Sequence, residues 1–227
     1  MSFYERLVSE TKHQRDELLN IPFIQRGVVG DVTRDEYISF LSQAYHHVKH
    51  TIPLLMACGS KLSDRQKWLQ SAIGEYIEEE MGHEEWILND IRQCGANPEH
   101  VRNGQPAVAT ELMVSYAYDM IYRINPIGFF GMVYVLEGTS VALATNAAHA
   151  IQQKLQLPNK AFSYLTSHGS LDISHVDFFE KLMNRVEDSE EQAQIIHCAK
   201  VFFKLYGDIF RSLDKSKTRL EVNYAVA

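Results

Sequence analysis

The sequence predicts an all-α protein folded as a single compact bundle of about seven helices. Apolar residues recur at helical spacing along most of the chain, and no stretch alternates with period two over the length of a strand. Chain-breaking residues are sparse, 12 Gly and 6 Pro in 227 residues, and most fall between long periodic segments. No internal repeat, low-complexity tract or linker divides the chain, so 1–227 reads as one helical domain with a tail after about Lys215.

The first helix is predicted over about Phe3 to Leu19 and stops before Pro22, and a loop rich in Gly and Val follows. Thr33 opens the second, with Glu36 three residues on to complete a capping box. That helix runs to about Cys58, with a bend predicted at Pro53. Ser63 opens the third, which ends near Cys94 with Gly95 as its stop. Ala96 to Pro106 reads as a loop. The fourth helix covers about Ala109 to Ile124 and is broken by Asn125-Pro126. The fifth spans about Ile127 to Leu155, before Pro158. The sixth spans about Lys160 to Met183, with Gly169 as a point of loosening, and the last runs from about Ser189 to Leu213.

Composition narrows the function classes. Hydrophobic residues are 45% and charged residues 22%, with 22 Lys and Arg against 29 Asp and Glu for a net charge of −7. That is an ordinary globular composition, and an acidic chain without a basic stripe does not suit a phosphate backbone, so no nucleic-acid partner is expected. No uncharged apolar run reaches the roughly 20 residues a bilayer span needs, and the charged start Met1 to Arg6 lacks a signal's apolar centre. No membrane partner is expected. Cys58, Cys94 and Cys198 are odd in number, far apart and without a CxxC pair. They suit neither a disulfide framework nor a cysteine zinc site, and the expected compartment is the reducing cytoplasm.

Chemistry enters through ionisable groups on apolar faces. On a helical wheel of the third helix, Ile73, Ile77, Ile87 and Ile91 form one stripe, with Glu80 and Glu84 in its middle and His83 at its edge. Glu79 points away and reads as solvated. A carboxylate in such a stripe is costly to bury without a partner; a buried Tyr or a salt bridge to another helix is the plain alternative to a metal. The fifth helix is apolar nearly all round, which marks a central helix. Its one ionisable carboxylate is Glu137, whose plain alternative is a neutral acid held by neighbouring hydroxyls. In the sixth, His168, Asp172 and His175 recur at i, i+4 and i+7, in line with Phe179 and Leu182.

Three interior helices thus supply three carboxylates and three imidazoles. A bundle carrying Glu-x-x-His and lone inward carboxylates is how di-iron sites are built. Mixed imidazole and carboxylate ligation suits two iron ions, with manganese as the alternative, better than structural zinc. Glu137 is the expected bridging and catalytic carboxylate. Glu84 is expected either to support a ligand from behind by hydrogen bonding or to serve as an additional ligand.

The order Glu80-x-x-His83, then isolated Glu137, then His168-x3-Asp172-x2-His175 resembles the heme-oxygenase-like di-iron oxidases. That group includes enzymes that decarboxylate fatty acids or oxygenate nitrogen, and it shares its fold with TenA-type thiaminases, pyrroloquinoline-quinone synthase and heme oxygenases. The resemblance spans Glu10 to Leu213. It implies a heme-oxygenase-like bundle, frequently homodimeric, with Glu80, His83, Glu137, His168, Asp172 and His175 as metal ligands, and O2 and a small organic molecule in an apolar pocket as reactants.

The stretch Tyr134 to Ser140 also resembles heme oxygenases. Heme is disfavoured: Val141, Ala142 and Leu143 stand where glycines would let a porphyrin lie flat, and His13, the candidate proximal ligand, points away from the buried side of its helix. Thiaminase chemistry is disfavoured because the fifth helix carries no Cys. A TenA/thiaminase-like protein, or a protein of the same fold that binds heme or another small molecule without di-iron chemistry, is the alternative function. His46, His47 and His50 lie mostly off the stripe of Ile38, Leu41, Tyr45, Val48 and Ile52, and read as a solvated or interface face. Tyr116, Tyr118, Tyr122 and Tyr134, with Phe129 and Phe130, read as core and pocket wall.

Overall fold

A computed structural model describes residues 1–214, with side chains throughout except at 168–175. The described residues form twelve α-helices and no strand. Several predicted helices divide, each for a local reason.

The first separates into α1 (Phe3–Glu10) and α2 (Lys12–Leu19) at Thr11. The Thr11 hydroxyl donates back to the Leu7 carbonyl at 2.7 Å. Such back-bonding bends a helix, and it lets Thr11 meet the Tyr134 hydroxyl at 3.2 Å. The predicted loop after Asn20 holds α3 (Pro22–Val28), opened by a proline at its first position. The turn that follows brings Gly30, at φ +75°, so close to the central helix that a β-carbon there would meet the Ala150 carbonyl oxygen at 2.4 Å.

Thr33 and Glu36 form both halves of the predicted capping box on α4 (Arg34–Val48). The second helix breaks at Lys49–His50, ahead of Pro53. Pro53 then sits in the first turn of α5 (Thr51–Lys61), where its missing N–H has no intrahelical partner to lose. Ser63 and Gln66 cap the short 3-10 turn that leads into α6 (Lys67–Glu80). The third predicted helix is interrupted at Met81–Gly82, and α7 (His83–Gln93) continues in a new direction. Gly82 takes φ +91°, in the left-handed region open to glycine.

The predicted loop 96–106 contains the short α8 (Pro98–Arg102). α9 (Val108–Asp119) ends in a wide π-type turn, Met120–Ile124, stopped by Asn125 as expected. A 3-10 turn, Pro126–Phe129, leads into α10 (Phe130–Leu155). α11 (Ser163–Met183) continues past Gly169, and α12 (Ser189–Leu213) starts where the Asp188 carboxylate accepts the N–H groups of Glu190 and Glu191.

α10 is the axle of the bundle and packs most extensively on α11 and α12. The stretch Pro126–Leu155 is long and apolar enough to cross a membrane by length and composition. Here 61% of its most apolar window is buried inside the fold, as a core helix requires. The apolar residues form two clusters. The larger gathers α1, α5, α6, α9 and α12 around the first half of α10. The smaller gathers α4, α7 and the start of α11 around its second half.

Candidate functional site

Between the two clusters lies a cavity of about 1350 Å³, counting its open mouth. Its walls come from α3, α4, α5, α6, α10, α11 and α12, and they are mostly apolar. Among the described residues, its ionisable lining apart from tyrosines is Glu80, Glu137 and His47.

Glu80 is the last residue of α6 and His83 the first of α7, so the pair expected on one helix straddles a break. The break still brings them together: His83 Nδ1 and Glu80 Oε2 are 2.9 Å apart, with side chains 3% and 13% exposed. His83 stacks on the Trp86 ring at 4.0 Å between centroids, which fixes the imidazole plane. When Nδ1 donates its proton to Glu80, Nε2 keeps its lone pair. Glu137 lines the cavity from α10 beside Leu136 and Ser140. The neighbouring Thr139 hydroxyl is committed to the Val135 carbonyl at 2.6 Å. Glu84 lies half-buried in the first turn of α7 and is not part of the cavity wall.

His168, Asp172 and His175 lie on α11, and their side chains fall outside the described residues. The start of that helix is tied down. Asp90 is fully buried on α7, and its carboxylate accepts the N–H groups of Ser163 at 3.0 Å and Tyr164 at 2.8 Å. Burial pushes the Asp90 carboxyl up to about 6 against those stabilising bonds. Asn89 donates to the Lys160 carbonyl at 3.2 Å, and the Tyr37 hydroxyl donates to the Ala161 carbonyl at 2.9 Å. The next residues, Tyr164 and Leu165, face the cavity.

The residues present fit iron. The hydrogen bond from His83 Nδ1 to Glu80 leaves the imidazole Nε2 as a donor atom, and Glu80 and Glu137 bring carboxylates to the cavity wall. Carboxylate oxygen and imidazole nitrogen are donors that iron takes. Among the described residues alone, no group of three His, Cys, Asp or Glu could hold a metal ion.

His47 is the residue that sequence reasoning missed. It is 4% exposed, lines the cavity and meets the Tyr206 ring edge-on at 5.9 Å. His46 is also buried, and burial, with Lys49 and His50 nearby, lowers its imidazole to about 4. The expected solvated face is absent because the last turn of α4 is covered on all sides, from Ala44 through Val48. No stripe calculation on a single helix registers a second covering neighbour. Tyr122 also differs from expectation: it is 58% exposed, with the Lys61 ammonium over its ring. His13 is exposed and paired with Glu17 at 3.6 Å, as its position on the wheel predicts. Of the three residues expected to obstruct a porphyrin, Leu143 lines the cavity while Val141 and Ala142 are exposed. All three cysteines are buried and free.

The profile of a family described as "iron-containing redox enzyme" matches residues 38–207. Among solved structures, the chain is similar to a domain of unknown function with a heme oxygenase-like fold from Shewanella denitrificans OS217. That match has a TM-score of 0.84 at 23% identity, over 96% of this chain and 94% of the other. A TenA homologue from Pseudomonas syringae pv. tomato matches with a TM-score of 0.79 at 10% identity, over 93% and 92%. Heme oxygenase-1 from the cyanobacterium Synechocystis sp. PCC6803, in complex with heme, matches with a TM-score of 0.72 at 14% identity, over 95% and 94%. At these identities the structural matches show the fold alone, which is heme-oxygenase-like. No curated protein sequence matches the chain.

Proposed function

The chain belongs to the iron-containing redox enzyme family, and from that membership we propose that it is a non-heme di-iron oxidase or oxygenase. It would use O2 to oxidise a small organic substrate in the apolar cavity. The observation that carries this reading is the Glu80–His83 pair at 2.9 Å, with Glu80 and Glu137 both lining one apolar cavity. Glu80, His83 and Glu137, with His168, Asp172 and His175 on α11, are the residues that would hold two iron ions, or manganese in their place.

When bound, the iron supplies the electrons that activate O2. The protein's own residues do the rest. Glu80 accepts the Nδ1 proton of His83 and so sets which imidazole nitrogen is free to ligate. Trp86 holds that ring in plane. Glu137 brings a carboxylate from the central helix to the cavity wall, and the apolar walls keep water from the reacting groups. The same reading has the chain acting as a homodimer in the cytoplasm, without membrane or nucleic-acid partners.

The test is anaerobic loading with ferrous iron, desalting and metal analysis, followed by rapid mixing with O2. About two irons per chain and a transient visible absorption are expected. No retained iron at neutral pH would overturn the reading. A second reading is a heme-binding or other small-molecule-binding protein without di-iron chemistry. Its support is the fold shared with heme-bound Synechocystis heme oxygenase-1. An intense Soret band after addition of heme, with no iron retained outside it, is the result that would favour it.

A further inference from the structure

The outer face of α9 carries an apolar stripe that the cavity does not use. Among the described residues nine large apolar side chains are exposed, and five of them fall together. Val108 and Leu112 lie on α9, Tyr122 and Ile124 on the π-type turn that ends it, and Met56 on α5. α5 is tied alongside. At its start His50 Nδ1 lies 3.2 Å from the Tyr118 hydroxyl, and at its end the Lys61 ammonium sits 5.3 Å over the Tyr122 ring. Met56 lies between those two ties. Exposed apolar residues scattered singly are ordinary, but a patch that gathers Met and Tyr has the composition of an interface centre.

The stripe has a middle. Val108, Leu112 and Ser115 recur at i, i+4 and i+7 on one exposed face, which runs on to Tyr122. Ser115 is small and stands halfway between Val108 and Tyr122. A two-fold axis at Ser115 sets a second α9 antiparallel to the first. Val108 then faces Tyr122 of the other copy, Leu112 faces Tyr118, and the helices come closest where the side chain is smallest.

The charges agree with that pairing. Arg123 and Asp119 hold each other at 2.6 Å. Glu111 and Lys61 are exposed and make no ion pair among the described residues. They stand at opposite ends of the stripe, Glu111 near Val108 and Lys61 over Tyr122. The two-fold brings Lys61 of each copy within about one helical turn, roughly 5 Å along the axis, of Glu111 on the other. A parallel pairing would set like charges together.

We propose that the face of α5 and α9 centred on Ser115 binds a second copy of this chain across a two-fold axis. This rests on the chain pairing with itself, as the proposed function has it, and on no metal.

The experiment is sedimentation equilibrium of the metal-free full chain over a range of concentrations. The parent is expected at twice the chain mass at micromolar concentration. Leu112→Asp combined with Tyr122→Asp should run as a monomer, since it sets charge at the apolar centre from both copies. Glu111→Lys alone and Lys61→Glu alone should each weaken the dimer about tenfold, because a two-fold interface counts every change twice. The two swaps together should return the dissociation constant to within about threefold of the parent's. All four positions are exposed, and thermal melting checks that each variant is folded. A monomeric parent would overturn the proposal, and its binding to phosphatidylcholine vesicles would assign the face to a lipid surface instead. A dimer that survives Leu112→Asp with Tyr122→Asp would overturn this face and leave the homodimer standing. Swaps whose effects add rather than cancel would overturn the two-fold pairing. Iron retention is read separately, so the oxidase reading can fail while this one holds.

Discussion

Glu80 and His83 are three residues apart, and the residue that brings them together is Gly82. In an unbroken helix their side chains would share a face at a spacing set by helical pitch. Here Glu80 closes one helix and His83 opens the next, and the left-handed backbone at Gly82 turns the chain between them. Gly82→Ala places a β-carbon on φ +91°, although nothing lies within 4 Å of that carbon. The cost is therefore backbone strain alone, about 1–2 kcal/mol in urea denaturation. Loss of ferrous affinity is expected with it, because relief of the strain swings His83 away from Glu80. A variant as stable as the parent would show that Gly82 carries no strain.

At the scale of elements, α7 holds the start of α11. Asp90 receives two N–H groups from the first turn of α11, and it lies seven residues from His83, on the same face of α7. Its carboxyl is raised to about 6 from an ordinary value of 3.8. The folded protein thus holds this proton where the unfolded chain has released it. The stability linked to that proton is present below about pH 4 and is lost as pH rises through 6. Between those limits the parent should lose up to about 3 kcal/mol relative to Asp90→Asn. Denaturation at a series of pH values checks this, and parallel curves for the two proteins would count against it.

Local signals explain which elements were legible. Thr33 and Glu36, Asn125-Pro126, Asp188 and the uniform apolarity around Glu137 are written in adjacent residues, and they mark α4, the stop after α9, α12 and the central α10. The bend expected at Pro53 falls just ahead of it at Lys49–His50, and the break at Met81–Gly82 rests on a left-handed glycine that hydrophobic periodicity does not record. Within the site, Glu80, His83 and Glu137 stood out as ionisable groups on or beside apolar surfaces. His47 did not, because its burial depends on Tyr206 more than 150 positions away. His168, Asp172 and His175 remain readings of the sequence.

For the molecule as a whole, iron that binds only the folded state must add to its stability. At free iron a hundredfold above its dissociation constant the gain is about 2.7 kcal/mol, or roughly 5–10 °C in melting temperature for a chain of this size. The parent should show that rise under anaerobic ferrous iron, and His83→Gln should lose most of it while melting near the parent in the metal-free state. An equal rise in both proteins would remove His83 from the ligand set. The cavity's position between the two apolar clusters has a mechanical consequence. Its walls draw Leu54, Phe129 and Met132 from one cluster and Val32, Ala144 and Leu165 from the other. Empty, it is a seam between the two clusters, bridged by α10, which has residues in both. Filled, it joins the two clusters into one, so a molecule bound there is also a temporary part of the protein's interior.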